Sequence, residues 1–543
     1  MNHSAYKKPS FLEDSGMRIL IVSLLFLTAF GVRLHHITEP TFEFNPTREY
    51  ASAFFARSFY YKNADSVPEW KRDVVNFHLK QKDVIVEFWI MERLVSLASR
   101  ITGGEHLWFS KLFSSLFWMA GGVFLYLIAR KILPPGEALF STAFYLFLPY
   151  SISASRSFMP DPLMLMMILG GIYGILRYHE KPSVHGLLAV SVVSGLAILV
   201  KPMGVFLLFA VFAGIALHRK GVRKALISGS LAVFGIISIL PFSVYTFASG
   251  FSRHIGEAYE TSFNPAIFLY PEFWADWFVM IGRVVGYIAF AGALAGIFMF
   301  QRGLPKSLIA SLWVGYLAFC LAFNTRINIH DYYHLQLIPI VALSLGPVSG
   351  RVFNHVKQYG TRYIPAAGIV AVAAVLISVV GIRGIDWRDI AMRHKGKMKL
   401  IGSIIGVNPQ FINFISPDSE RKQRIAKEIS DIVGHAEIII LDSKFGIPIS
   451  FLGDLKAYSW QTDEVFKLYK LQGRNVSPVK LFKKFYKRWN YPEYFVISEF
   501  AEFEKHSELK DFLDGTFPVL VRTDDYLIYD LRKKKTSAGQ ALP

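Results

Sequence analysis

The run Ser155-Arg156-Ser157-Phe158-Met159-Pro160-Asp161-Pro162 sets an acid between two prolines, with long apolar stretches on either side. A carboxylate there must be solvated or paired, because water is absent a few residues deeper and an unpaired charge is costly in hydrocarbon. Other reactive side chains also gather near the ends of apolar stretches: Lys201 before Pro202, Arg326, and the run His330-Asp331-Tyr332-Tyr333-His334. Glu43, Arg48 and Glu49 stand in the first long polar loop. Carboxylates of this kind can take a proton, and buried cations can stabilise a developing anion. Each residue also has a purely structural reading. Asp161 before Pro162 suits a helix N-cap, Glu49 complements a helix dipole, and Arg48 can meet lipid headgroups. Lys201 can snorkel from a helix end, and residues 330–334 can form an interfacial aromatic belt. His330 and His334 have the i,i+4 spacing of a metal pair, but no third ligand is evident.

The elements that must position these residues are membrane spans. The chain has 543 residues, 52% of them hydrophobic, and a mean hydropathy of +0.35. Repeated apolar runs approach the roughly 20 residues needed to cross the bilayer core, so a polytopic membrane protein is expected. A formal charge of +18 is explained by Lys and Arg in short loops on one side, which removes the argument for nucleic acid. Cys320 is the single cysteine, excluding an intrachain disulfide and a cysteine zinc cluster. Lys7, Lys8 and Arg18 precede the first apolar run, and no small-residue cleavage site follows it, so an uncleaved first span is expected.

Spans are expected at about 18–35, 107–129, 137–154, from Asp161-Pro162 to Arg177, and at 184–200, 203–217, 225–247, 273–300, 307–323, 333–349 and 363–382. Basic clusters at 130–131, 177–181, 219–224, 302–306 and 351–362 then share one side. About eleven spans put the N-terminus in the cytoplasm and the C-terminus outside. Residues 36–106 form the first outer loop, with one interfacial helix starting at Asn45-Pro46 and a second surface helix at 84–101. Sorted this way, Glu43, Arg48, Glu49, Arg156, Asp161, Lys201, Arg326, His330, Asp331, Tyr332, Tyr333 and His334 all reach the outer mouth. That asymmetry suits a site handling both a proton and an anion. The expected division is a transmembrane module, 1–384, and an outer α/β domain, 385–543, with a disordered tail from about 533. Strands are expected at 437–441, 493–498, 517–522 and 526–531. Lys480, Lys483, Lys484, Lys487 and Arg488 make one helix there basic and amphipathic.

In order along the chain come an acidic first outer loop, proline–aspartate at the head of span four, Gly-Leu-Ala-Ile-Leu-Val-Lys-Pro at 195–202, and His330-Asp331-Tyr332-Tyr333 leading to Pro339. This order resembles the GT-C membrane glycosyltransferases, in particular the protein O-mannosyltransferase and aminoarabinose–lipid A transferase group, over about 17–350. The resemblance implies an inverting transferase that uses a polyprenyl-monophosphate sugar and a lipid, glycan or protein acceptor. It implies a multi-pass protein of a bacterial or archaeal cell membrane, with the site on the extracytoplasmic face. It places the family's acidic pair on Arg48-Glu49, where arginine replaces the leading aspartate, leaving Asp161 or Glu49 as the base. Lys201 matches the basic residue near the lipid phosphate, with Arg48, Arg156 and Arg326 as further phosphate contacts. Tyr332 and Tyr333, with His330, Asp331 and Glu43, fall at the donor and acceptor. No cofactor is identified with certainty, and a divalent metal ion is left open.

Neither a Walker loop nor a Rossmann glycine fingerprint is present, consistent with a donor that carries its own phosphate at the membrane surface. Three other readings compete: an oligosaccharide ligase or polymerase using a diphosphate lipid, a lipid or solute transporter without chemistry, and a binding module built on the outer domain.

Overall fold

The computed structural model describes residues 15–42, 44–62, 64, 66–81, 87–250, 262–358, 403–404, 411, 419–442, 445–463, 465–466 and 476–535. Glu43, the expected span at 363–382, and Lys7 and Lys8 lie outside them, as does most of the tail. The chain divides into two compact units. The first joins Met1–Thr38, Val84–Met91 and Trp108–Ser416; the second joins Glu39–Asp83, Glu92–Leu107 and Pro417–Pro543.

In chain order the helices begin with α1 (Ser15–Arg33), α2 (Pro46–Tyr61), α3 (Glu69–Lys80), α4 (Ile90–Thr102), α5 (Trp108–Ile132) and α6 (Pro135–Phe147). Next come α7 (Pro149–Ala154), α8 (Asp161–Glu180), α9 (Val184–Val200), α10 (Gly204–Lys220), α11 (Val222–Ile227) and α12 (Gly229–Ala248). Then follow α13 (Pro271–Val285), α14 (Tyr287–Met299), α15 (Leu304–Ala322), α16 (Asn324–Ile327), a 3-10 turn at Asp331–Gln336, and α17 (Leu337–Gln358).

In the first unit, α1, α5, α12, α15 and the stretch Asp331–His355 are long and apolar enough to cross a membrane; the bent pair α13–α14 makes a sixth candidate, and α9 is a shorter apolar helix. Three expected spans are interrupted. Residues 137–154 break at Leu148-Pro149 into α6 and α7, because proline lacks an amide proton and clashes with the preceding turn. Residues 225–247 break at Ser228 between α11 and α12. Residues 273–300 bend by 95° between α13 and α14, where Gly286 takes φ +79°, a conformation open to glycine without steric cost.

Small residues let these helices close on one another. A Cβ on Gly195 of α9 would stand 3.1 Å from Pro241 of α12, and the Ser238 hydroxyl of α12 donates to the Ser191 carbonyl of α9 at 3.1 Å. A Cβ on Gly315 of α15 would lie 3.0 Å from the Leu207 backbone of α10.

The second unit is an α/β sandwich to which the loop helices add a layer of their own. Its sheet comprises β1 (Glu437–Leu441), β2 (Lys456–Ser459), β3 (Tyr494–Ile497), β4 (Val519–Arg522) and β5 (Leu527–Asp530), in the order β2-β1-β3-β5-β4. β1 pairs parallel with β2 and β3, whereas β5 runs antiparallel to β3 and β4. Strand side chains alternate faces. Ile438 and Ile440 therefore join Ile425 and Ile429 of α18 (Ser419–Val433), while Ile439 and Leu441 join Phe482 of a helix at Pro478–Arg488 and Leu509 of one at Ser507–Thr516. The sequence reading found four of these strands. It missed β2, whose Lys-Ala-Tyr-Ser run buries only Ala457 and carries little apolar signal.

Candidate active site

Asp161 opens α8, yet it does not cap it. The N-cap position is Pro160, without a side-chain hydrogen bond, and Pro162 fills the first turn, where its missing amide proton costs nothing. The Asp161 carboxylate instead accepts from Lys201 Nζ through both oxygens, at 2.8 and 3.0 Å. Lys201 follows the last residue of α9 with extended φ −157°, ψ +119°, because Pro202 disfavours helical geometry at the residue before it. The two side chains are 1% and 6% exposed, so Lys201 does not snorkel. Burial alone would lower the Lys201 pKa; Asp161, joined by Glu87 and Tyr333, outweighs it and holds the ammonium above its ordinary range.

Two rings flank that ammonium. Tyr332 and Tyr333 have their centroids 5.2 and 5.5 Å from Lys201 Nζ, within the range of cation–π attraction. His330 stands 5.3 Å from Tyr332, ring to ring. Its imidazole is pushed down to about 4, by burial first and then by the nearby charges of Arg326 and Lys201, so it is neutral at physiological pH. Asp331 faces the buried Tyr150, with Asp161 and Tyr332 also in that tyrosine's surroundings. Asp161, Lys201, Tyr332 and Tyr333 therefore meet, with Arg326, His330 and Asp331 around them.

The segment leading into Asp161 is tied down by hydroxyls and one arginine. Ser114 of α5 donates to the Ser157 carbonyl at 2.6 Å. Arg33, fully buried at the end of α1, donates to Ser155 Oγ at 2.7 Å and to the Ala29 and Leu146 carbonyls, each at 2.8 Å. Arg156 is buried nearby. In sequence Arg33 is not marked as part of the site, since an arginine near the end of an apolar run reads as one that reaches water. Glu87, a charge within the surface helix expected at 84–101, and Tyr150, which no local pattern marks, are not singled out by sequence either.

His334 cannot serve as a ligand beside His330. Its Nδ1 meets the Tyr316 hydroxyl at 2.6 Å and its Nε2 meets the Ile327 carbonyl at 2.7 Å. Among the described residues no three His, Cys, Asp or Glu side chains gather in a metal-binding group.

Arg48 and Glu49 belong to the second unit, on α2. Asn45 caps that helix as its sequence implies, accepting from the Arg48 amide at 3.3 Å. Glu49 is buried, and its carboxylate accepts from the backbone amides of Phe44 and Asn45 at 3.1 and 2.9 Å. Arg48 donates to Ser52 at 3.3 Å.

Residues 85–245, which include both Asp161 and Lys201, match the family described as dolichyl-phosphate-mannose-protein mannosyltransferase. No curated protein sequence matches the chain. The structure is similar to that of ArnT from Cupriavidus metallidurans bound to undecaprenyl phosphate, with a TM-score of 0.55 and 13% identity over 94% of this chain and 97% of that one. The apo form of the same protein gives 0.53 and 14%, over 95% and 97%. An oligosaccharyltransferase from Archaeoglobus fulgidus aligns at a TM-score of 0.49 and 11% identity, over 89% of this chain and 69% of that one. The fold is that of the GT-C membrane glycosyltransferases.

Proposed function

We propose that the chain is an inverting glycosyltransferase that moves a sugar from a polyprenyl-monophosphate donor to a lipid, glycan or protein acceptor. The buried Asp161–Lys201 pair between Tyr332 and Tyr333 carries this reading. The family match over 85–245 and the fold shared with ArnT, whose structure holds undecaprenyl phosphate, support it. The proposed setting is a cell membrane crossed about eleven times, with the N-terminus inside and the site on the extracytoplasmic face.

Without donor, Lys201 holds both oxygens of Asp161, and the carboxylate cannot take a proton. An arriving phosphate monoester competes for the ammonium. Lys201 then turns to the phosphate, where it stabilises the charge that grows as the sugar–phosphate bond breaks. The released carboxylate is free to accept the acceptor's hydroxyl proton. The acceptor oxygen bonds the anomeric carbon from the face opposite the departing polyprenyl phosphate, so configuration inverts. The proton ends on Asp161, and the electron pair of the broken bond ends on the phosphate. Arg326 and Arg156 supply further positive charge in the same unit, and the rings of Tyr332 and Tyr333 keep the ammonium in place while it exchanges anions. Glu49 is the second candidate base from the sequence.

The test is transfer from a radiolabelled polyprenyl-monophosphate sugar by the purified full chain, with Asp161→Asn and Glu49→Gln alongside. Loss of turnover in Asp161→Asn, with normal membrane insertion, is the expected result. Full activity in that variant overturns the assignment. Transfer from a diphosphate-linked oligosaccharide only would favour the ligase reading.

A further inference from the structure

α8 and α9 form an antiparallel hairpin whose far end, the Lys181-Pro182-Ser183 turn, carries a feature the transferase reading does not use. A groove of about 330 Å³ runs between the two helices there, lined by Gly170, Gly174, Arg177 and Lys181 on one side and by Ala189 and Val193 on the other. Gly170, Gly174 and Arg177 recur at i, i+4 and i+7, so they share one face of α8, and Lys181 follows just past its end. Glycine keeps that face low: a Cβ on Gly174 would come within 3.0 Å of Val190. Ala189 and Val193 form an exposed apolar wall. The volume is near the lower end of small-ligand pockets, roughly 300 Å³, enough for a length of alkyl chain.

The mouth of this trough is cationic, and its nearest acid is taken. Glu180 accepts from Lys131 Nζ through both oxygens at 2.6 and 2.7 Å. Arg177, 57% exposed, reaches Glu180 only at 3.9 Å, and among the described residues no acid pairs with Lys181. Arg219 donates to the His179 carbonyl and adds a third cation to the same end. An apolar trough ending in Arg177 and Lys181 is complementary in shape and charge to an anionic phospholipid, with an acyl chain on the glycines and a phosphate at the mouth. Basic pockets between membrane helices bind anionic headgroups for this reason. The length of α8, 20 residues or about 30 Å at 1.5 Å per residue, separates Asp161 from the cationic mouth at Lys181. The phosphate of a donor seated at Asp161 therefore cannot also occupy that mouth.

We propose that this groove binds one anionic phospholipid from the leaflet at the turn end of the hairpin. The lipid clamps α8 to α9, the two helices whose other ends present Asp161 and Lys201. The inference stands independently of the transferase reading, since binding is measured without turnover.

Native mass spectrometry of the full chain released from nanodiscs of phosphatidylglycerol and phosphatidylcholine tests it. One phosphatidylglycerol should be retained in preference to phosphatidylcholine. Arg177→Gln/Lys181→Gln should weaken retention about thirtyfold, five- to sixfold for each cation. Ala189→Leu, which fills the trough without altering charge, should abolish it; Val193→Phe does the same if the first variant fails to fold. Arg223→Gln/Lys224→Gln, an equal change of charge away from the groove, should leave retention intact. Equal retention of the two lipids overturns the proposal, as does an equal loss in the control pair. Undiminished binding in both wall variants overturns it too.

Discussion

Asp161 and Lys201 close the same end of one helical hairpin, the first residue of α8 meeting the residue just past α9 through two hydrogen bonds of 2.8 and 3.0 Å. Neither helix requires the contact for its own formation. Each is stopped or started by a proline, and those two prolines aim the charges at one another.

The first prediction concerns stability. A buried pair is weak evidence for net stabilisation, but removing one partner strands the other charge and costs about 3–5 kcal/mol. Asp161→Ala should therefore lower the unfolding temperature in detergent sharply, and Asp161→Asn/Lys201→Met should recover most of that loss while staying inactive. Equal stability of single and double variants would show the pair to be solvated.

The tyrosines separate by ring and hydroxyl. Tyr332→Phe and Tyr333→Phe keep the faces 5.2 and 5.5 Å from the ammonium and should keep donor affinity. Tyr332→Leu should raise the KM for donor by about twofold to thirtyfold, the range of a cation–π contact worth about 0.5–2 kcal/mol. A KM unchanged in the leucine variant would remove the ring from the site.

His330 gives a pH signature. Its folded pKa, about 4, lies below the ordinary value of 6.5. Between these values the unfolded chain binds a proton that the folded chain refuses, so this contribution is full above pH 6.5 and is lost as pH falls towards 4. His330→Gln should flatten the decline in that window. Unfolding curves with the same pH dependence in both proteins would count against the burial of this ring.

In the second unit, Arg57 donates to Glu105 and to Asp454, each at 2.8 Å, and Lys71 adds a contact to Asp454 at 3.0 Å. Asp454 holds φ +48°, a conformation asparagine tolerates and alanine resists. Asp454→Asn thus removes the charge alone and should destabilise by about 1–3 kcal/mol, with Asp454→Ala lower still. Thermal unfolding of the two variants should rank them in that order. If Asp454→Asn proves neutral, Glu105 alone suffices for the arginine.

The sequence alone determined that this is a many-span membrane protein with an α/β region after it, and which residue types could meet at one mouth. Those properties are written in composition, in the period of apolar residues and in loop charge, all of them local. It also marked Asp161, Lys201, Tyr332 and Tyr333, because a charge or a tyrosine pair at the edge of an apolar run is conspicuous by itself. Tertiary structure alone decided what each one meets. A capping aspartate and an ion-paired one have the same sequence, Asp161-Pro162, and only the position of α9 distinguishes them. His334, spaced like a metal ligand, spends both nitrogens on Tyr316 and Ile327. The local pattern gives Glu87 and Arg33 no place at the site, since a charged residue is read by its neighbours in the chain, whereas its energy is set by neighbours in space. The same reason separates Glu49, which turned back on its own helix start, from Asp161, which found a partner 40 residues away.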